Sequence, residues 1–235
     1  MSTKYFILTK PANTNIADNA NNQIVYTNSP QTFILPQTNL VYYASRGLFE
    51  NHLIEWAKQL CSNDKSFLDI GAHTGTYTIC LADKAKEVYS FEPQQMTYYA
   101  LCGSVALSNL TNVKCLNVGL GAPEQVGTTT LKIVSNDGGG SSIHAQSKIL
   151  REEEITIRTL DSYNLDNVGF IKMDVEENEL FVLQGAIETL KRSNYPKILF
   201  ESNYNNEPLF NYIKNDLGYG IIKIGGNANM YLAEK

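Results

Sequence analysis

A chain of 235 residues is long enough for one large domain with a substantial core, and 43% hydrophobic with 18% charged residues is a globular composition. The net charge of −5 and the scattering of Arg46, Arg151, Arg158 and Arg192 argue against broad binding to a nucleic-acid backbone, which needs a basic face. The apolar patch Tyr5-Phe6-Ile7-Leu8 is too short for a leader's apolar core or a membrane span, so a cytoplasmic location without membrane contact is expected.

Residues 1–45 read as an N-terminal β-rich extension. Three short β-prone runs, 5–8, 23–27 and 32–35, are separated by an Asn-rich stretch at 13–22 that suits a surface loop. A single domain is expected over 46–235. Leu48, Phe49, Leu53, Ile54, Trp56 and Leu60 follow helical spacing and lead into an apolar run at 66–70. Helix 74–84, strand 87–91, helix 94–107 and strand 113–118 then alternate, with Met96, Tyr99, Gly103 and Leu107 on one side of the longer helix. An insertion at 121–168 breaks the rhythm, with β-prone runs at 128–134 and 154–159. Between them the glycine-rich segment 136–144 is either a plain loop or a mobile lid. Alternation resumes with strand 170–175, and a helix follows that carries Leu180, Leu183, Ile187 and Leu190. Next come strand 198–200 and a helix marked by Leu209, Phe210, Ile213 and Leu217. Runs at 221–224 and 230–233, joined through Gly225-Gly226-Asn227, predict a closing hairpin with an antiparallel last strand. Such a pattern gives an α/β fold, a mainly parallel sheet with helices on both faces.

Chemistry concentrates at the end of the run 66–70. Asp69-Ile70-Gly71-Ala72-His73-Thr74-Gly75-Thr76 turns on two glycines and enters a helix, the layout of a cofactor pocket at the carboxyl edge of a first strand. The third glycine and tight first turn of a pyrophosphate-binding G-x-G-x-x-G are missing, and Asp69 would repel a phosphate. The turn therefore suits a ligand with a cationic centre and a ribose. Glu92, followed by Pro93, closes the next strand roughly 20 residues on, placed to accept hydrogen bonds from a ribose diol. S-adenosylmethionine (SAM) fits both features better than a nicotinamide dinucleotide.

These residues resemble the FkbM-type SAM-dependent methyltransferases. The resemblance runs in order over about 49–202: 69–75, Phe91-Glu92-Pro93, Val118-Gly119-Leu120, Ser141-Ser142, Thr159-Leu160-Asp161, 171–176, Gln184-Gly185-Ala186 and Leu199-Phe200-Glu201. It implies a Rossmann-like fold with a seven-stranded sheet and methyl transfer to oxygen, in several members on sugars or natural products. The cofactor set it implies is Asp69, Gly71, His73, Gly75, Thr76, Glu92, Pro93, Val118, Gly119 and Asp174. Two positions depart from the pattern: Glu177 stands where the family has glycine, and His73 where it often has asparagine.

An alcohol acceptor is almost fully protonated at neutral pH, so a positioned base should assist methyl transfer. Asp174, Glu176 and Glu201 fall at the carboxyl edge of the expected sheet. Lys172 points to the same side of its strand as Asp174 and could hold the carboxylate or the acceptor. Asp174 or Glu176 could instead cap the next helix. The three carboxylates could also take a divalent cation, since hard oxygen ligands suit one. His144 is a weaker candidate base, and His52 reads as surface. No Asn-Pro-Pro-aromatic run follows the strand at 170–175, which counts against amino-group methylation of bases. Ser142, Asn178 and Asn203 fit a neutral polyol, so a sugar, glycan or related small molecule is the expected acceptor. A nicotinamide-dependent oxidoreductase and a catalytically inactive SAM-fold binding protein are the alternatives. The four cysteines, Cys61, Cys80, Cys102 and Cys115, lack metal-type spacing and read as reduced core thiols.

Overall fold

Ser66–Ile70 is buried along its whole length, the mark of a strand covered on both faces. The computed structural model describes residues 4–10, 30–202, 206–226 and 229–235 with the backbone of 14–15 and 25–26, and sets that strand within a seven-stranded sheet. In chain order the strands are β1 (Tyr5–Lys10), β2 (Thr14–Asn15), β3 (Val25–Tyr26), β4 (Gln31–Pro36), β5 (Ser66–Ile70), β6 (Val88–Phe91) and β7 (Val113–Leu116). They continue with β8 (Gly119–Leu120), β9 (Gly127–Ile133), β10 (Arg151–Arg158), β11 (Val168–Met173), β12 (Lys197–Glu201), β13 (Gly220–Lys223) and β14 (Met230–Glu234). The α-helices are α1 (Leu40–Arg46), α2 (Asn51–Ala57), α3 (Thr76–Leu81), α4 (Gln95–Leu107), α5 (Glu179–Gln184), α6 (Ile187–Arg192) and α7 (Glu207–Asn211).

The main sheet runs β13-β14-β12-β11-β5-β6-β7. Pairing is parallel from β12 through β7, and β14 lies antiparallel between β12 and β13, as the closing hairpin predicts. The two-residue period of the strands divides the core. Leu68, Ile70, Ile171, Met173 and Phe200 pack on one face, and Phe67, Phe170, Leu199, Ile54 and Ile79 on the other. Asp69 and Lys172 are register partners on adjacent strands. The insertion's β9 and β10 join β8, which immediately precedes it, in a small sheet of order β8-β10-β9 around Leu131, Ile133, Ile155 and Ile157.

Several elements differ from the sequence expectation for identifiable reasons. The region read as β-rich also holds α1, which stops at Gly47 with φ 77°. The helix expected over 48–60 begins only at Asn51, because Glu50 before it sits in the left-handed region at φ 52°. The helix expected around 180–190 is two helices. The carbonyl of Gly185 accepts from the Asp161 amide at 2.9 Å, and the Asp161 carboxylate accepts from the amides of Glu188 and Thr189 at 3.0 and 2.7 Å. One aspartate thus ends α5 and caps α6. The run marked by Leu209 to Leu217 leaves α-geometry after α7 and continues as a π-turn over Tyr212–Asp216.

On α4 the apolar side Met96, Tyr99 and Leu107 faces solvent, while Thr97, Ala100, Leu101 and Ser104 are buried. The polar choice follows from β4, one edge of which pairs with β1. Backbone groups of β4 find serine partners on the helix side. The amides of Thr32 and Ile34 donate to the hydroxyls of Ser108 and Ser104 at 2.8 and 2.9 Å, and the Ser108 hydroxyl donates to the Thr32 carbonyl at 3.0 Å.

Candidate active site

The glycine turn after β5 is dictated by crowding. Gly71 has φ +76°, and a Cβ there would overlap the carbonyl oxygen of Asp174 just beyond β11. Its amide and that of Ala72 both donate to the Phe91 carbonyl at 3.0 Å, fixing the turn to the end of β6. Gly75, at φ +88°, opens α3 against Leu101.

At the carboxyl ends of β5, β6 and β11 lies a cavity of about 310 Å³. It gathers most of the expected site: Gly71, His73, Thr76, Glu92, Pro93, Val118, Gly119, Lys172, Asp174 and Glu176 all line it. Gly75 acts one step back, as the residue that starts α3. Asp69 is not in the lining. It is 1% exposed, its Oδ2 accepts from the Thr78 amide at 2.9 Å and hydroxyl at 2.6 Å, and its Oδ1 has no hydrogen-bond partner among the described residues. Burial pushes its carboxyl up, with Lys172 opposing. Glu201 also stands outside the lining, at the end of β12.

Glu92 is a buried acid of the cavity held by three donors. Its carboxylate accepts from the amides of His73 and Gln94 at 2.8 Å and from the Thr97 hydroxyl at 2.9 Å. A carboxylate offers about four acceptor sites, so one more donor can be taken from the cavity. His73 sits at φ 51°, a conformation that asparagine tolerates well, which accounts for the family's preference there. Its Nε2 pairs with the Asp137 carbonyl at 2.7 Å and ties the turn to the glycine-rich segment.

That segment is bound from several sides. Asn39 donates to the Asp137 carboxylate at 2.8 Å, the Gly140 amide donates to Glu176 Oε1 at 3.0 Å, and the Ser142 hydroxyl donates to the Glu176 carbonyl at 2.6 Å. Gly138, Gly139, Gly140 and Ser142 line the cavity. His144 does not. It pairs with Asn178 Oδ1 at 2.9 Å and stacks on Phe181. Asn178 also donates to the Leu120 carbonyl at 3.0 Å and accepts from Gln125 of the insertion at 3.0 Å, so its amide ties the insertion to the main domain. Asn203 lies outside the described residues, and His52 is exposed.

The expected Lys172–Asp174 pair belongs to a wider network whose Tyr77 and Glu50 members were not legible in the sequence. Lys172 is buried at 5% exposure. Its Nζ is 3.3 Å from Asp174 Oδ2, donates to the Gly71 carbonyl at 3.4 Å, and stands 5.2 Å from the centre of the Tyr77 ring. The Tyr77 hydroxyl donates to Glu50 Oε2 at 2.9 Å. Burial alone would lower the lysine's proton affinity, but Asp174, Asp69 and Glu50 outweigh it and raise it. Asn39, Tyr43, Phe49 and Glu50 join the lining although they precede every motif.

Among the described residues, five carboxylates, Glu50, Glu92, Asp137, Asp174 and Glu176, line the cavity against the single ammonium of Lys172. Burial, reinforced by Asp174, pushes Glu176 up. Burial, then Asp174 and Glu176, pushes Glu201 from the ordinary 4.5 to about 8, and burial pushes Glu179 to about 7. Both groups bind a proton more tightly in the folded chain. Their contribution to stability is therefore complete below pH 4.5 and is lost as the pH rises through 7 to 8. The melting temperature of the ligand-free protein should fall between about pH 5.5 and about pH 8.5, and Glu201→Gln should shrink that fall. An equal fall in the variant would remove Glu201 as a cause.

Glu177, at the family's glycine position, has φ 77° and an exposed side chain outside the cavity lining. The backbone there is left-handed, which explains the family glycine. Glu177→Gly should raise stability by about 1 kcal/mol, or about 2–4 °C in melting temperature, by removing the left-handed penalty. An unchanged or lower melting temperature would contradict this.

The three carboxylates considered for a divalent cation do not assemble. Among the described residues no group of three or more His, Cys, Asp or Glu side chains could hold a metal ion, and no helix is long and apolar enough to cross a membrane. Cys61, Cys80, Cys102 and Cys115 are all free.

A family model described as the Methyltransferase FkbM domain matches residues 69–219. A Beauveria bassiana (strain ARSEF 2860) protein described as Methyltransferase 1 is 25% identical over 146 residues, 52% of this chain and 59% of the relative. The chain thus spans less than two thirds of that relative's length. A crystal structure of Methyltransferase FkbM from Methylobacillus flagellatus KT superposes with a TM-score of 0.53 at 21% identity, covering 73% of this chain and 44% of that one. A Streptococcus mutans methyltransferase structure in complex with SAH superposes at 0.50 and 13% identity, covering 77% and 93%. At these identities the superpositions establish the fold. The matched domain begins at Asp69, takes in the glycine turn, Glu92, Asp174 and the Asp161 cap, and ends at Tyr219; the chain belongs to the FkbM methyltransferase-domain family.

Proposed function

We propose that this chain transfers a methyl group from SAM to a hydroxyl of a sugar, glycan or related small molecule. The observation that carries the reading is the acid-rich cavity beside the Gly71 turn. Five carboxylates facing one ammonium suit a ligand with a cationic sulfonium centre and repel a dinucleotide pyrophosphate. Glu92 has acceptor capacity left for a ribose hydroxyl, and apolar side chains such as Phe91, Val118 and Ile157 can cover a base. The similar Streptococcus mutans structure contains SAH, which supports the same cofactor here.

When bound, SAM supplies an activated methyl group on sulfur. The chain's own residues must hold the acceptor in line and take its proton, and alignment alone can provide much of the rate. Asp174 is the preferred base. Lys172 fixes its Oδ2 from below, while the side chain keeps 31% exposure toward the cavity. Glu176, raised by burial and by Asp174, is the second candidate, steadied through the Gly140 amide. Glu177 points away and does not block the cavity, which favours an active enzyme over an inactive binding protein.

Isothermal titration with SAM and NAD separates the leading readings. SAM should bind and NAD should not. Glu92→Gln keeps the shape but removes charge, and should weaken SAM about tenfold, the scale of one charge-assisted hydrogen bond. Binding of NAD without SAM would replace this proposal with the oxidoreductase reading.

A further inference from the structure

Phe49 and Glu50 line the cavity, yet they lie outside the matched family domain, which begins at Asp69. Phe49 is large, apolar and still 38% exposed, although Tyr42 stacks on it with ring centres 4.0 Å apart and Tyr43 meets it edge-on at 5.0 Å. The Phe49 ring packs against these neighbouring rings and stays open to the cavity. Next to it, Glu50 occupies the left-handed region at φ 52°, where glycine or asparagine would fit with less strain. Such strain persists where surrounding contacts over-determine it, and it concentrates at functional sites. Here the Tyr77 hydroxyl holds the carboxylate at 2.9 Å, and Tyr77 in turn faces Lys172, the partner of Asp174. An aromatic ring and a carboxylate are thus coupled side by side to the group assigned as base.

Resting on the function proposed above, we propose that Phe49 and Glu50 form the acceptor subsite, which takes an uncharged pyranose ring and rejects phosphorylated sugars. A pyranose presents an apolar face of C–H groups that can lie on the Phe49 ring, and hydroxyls at its rim that can donate to Glu50. A phosphate would enter a cavity with five carboxylates, where the one ammonium is already engaged by Asp174 and the Gly71 carbonyl. Selectivity comes from that repulsion as much as from the stacking.

Saturation-transfer NMR on the SAH-loaded protein tests the subsite. Probes are the methyl glycosides of glucose, galactose, mannose and rhamnose, with glucose 6-phosphate and mannose 6-phosphate. At least one methyl glycoside should saturate, and its affinity should exceed that of either phosphate by tenfold or more. Phe49→Ala and Glu50→Gln should each weaken that glycoside tenfold or more, Phe49→Tyr should retain it, and SAH affinity should stay within twofold throughout. Phe49→Leu serves if the alanine variant melts much earlier, since it keeps the volume and loses the flat ring. The subsite is overturned if a phosphate binds as well as the glycosides. It is equally overturned if Phe49→Leu and Glu50→Gln both bind the glycoside like the parent, or if SAH binds and no glycoside saturates. Loss of SAH binding by the parent protein would instead overturn the proposed function, and the subsite with it.

Discussion

Asp174→Asn should bind SAM nearly as the parent does and lose about a hundredfold or more in turnover, the scale of a lost general base. A hundredfold is about 2.7 kcal/mol of barrier. The substitution is nearly isosteric, so Lys172, which holds Asp174 Oδ2 at 3.3 Å and the Gly71 carbonyl at 3.4 Å, keeps a partner at each site. What is lost is the charge that accepts the acceptor's proton and balances the buried ammonium. Glu176→Gln is the companion variant, since its carboxylate shares the cavity and is raised by burial and by Asp174. Single-turnover rates with saturating SAM would compare them. If both variants turn over at the parent rate, neither carboxylate is the base.

Gly71→Ala should destabilise the chain by roughly 3–5 kcal/mol, a penalty on the scale of the strongest single-residue effects. Two costs combine. A left-handed φ of +76° penalises any Cβ by about 1–2 kcal/mol, and the added carbon overlaps the backbone carbonyl of Asp174, which no side-chain rotation can relieve. For a chain of this size each kcal/mol moves the melting temperature about 2–4 °C, so a drop of roughly 10 °C is expected. A melting temperature within about 2 °C of the parent would show that β5 and β11 can separate freely at the turn.

The parallel core was legible because its strands are short apolar runs at regular spacing, bounded by turn residues. Ser66–Ile70, Val88–Phe91 and the final hairpin fall where their patterns placed them. Glu92 and the Gly71 turn were legible for a related reason, since strand ends and glycines carry local signals. The misses come from long-range partners. Asp161 splits a helix through bonds to the amides of Glu188 and Thr189, and nothing in the apolar spacing of 180–190 reports that. The serine face of α4 serves β4, some 70 residues earlier in the chain. Asp69 was read as a cofactor contact from its position at the end of a strand; the structure sets it outside the cavity lining, with Oδ2 held by Thr78, a partner nine positions on. Glu50 and Tyr77 both line the cavity and are joined there by a hydrogen bond spanning 27 positions. One departure was informative from the outset. Glu177 occupies a glycine position, and φ 77° supplies the reason.

Methyl transfer from SAM to a hydroxyl can be followed by incubating the protein with methyl-labelled SAM and a panel of glycans and small polyols. Label should appear in an acceptor as an oxygen-linked methyl group, at a rate about a hundredfold lower in Asp174→Asn. Label appearing only on protein, a nucleobase or an amine would contradict it.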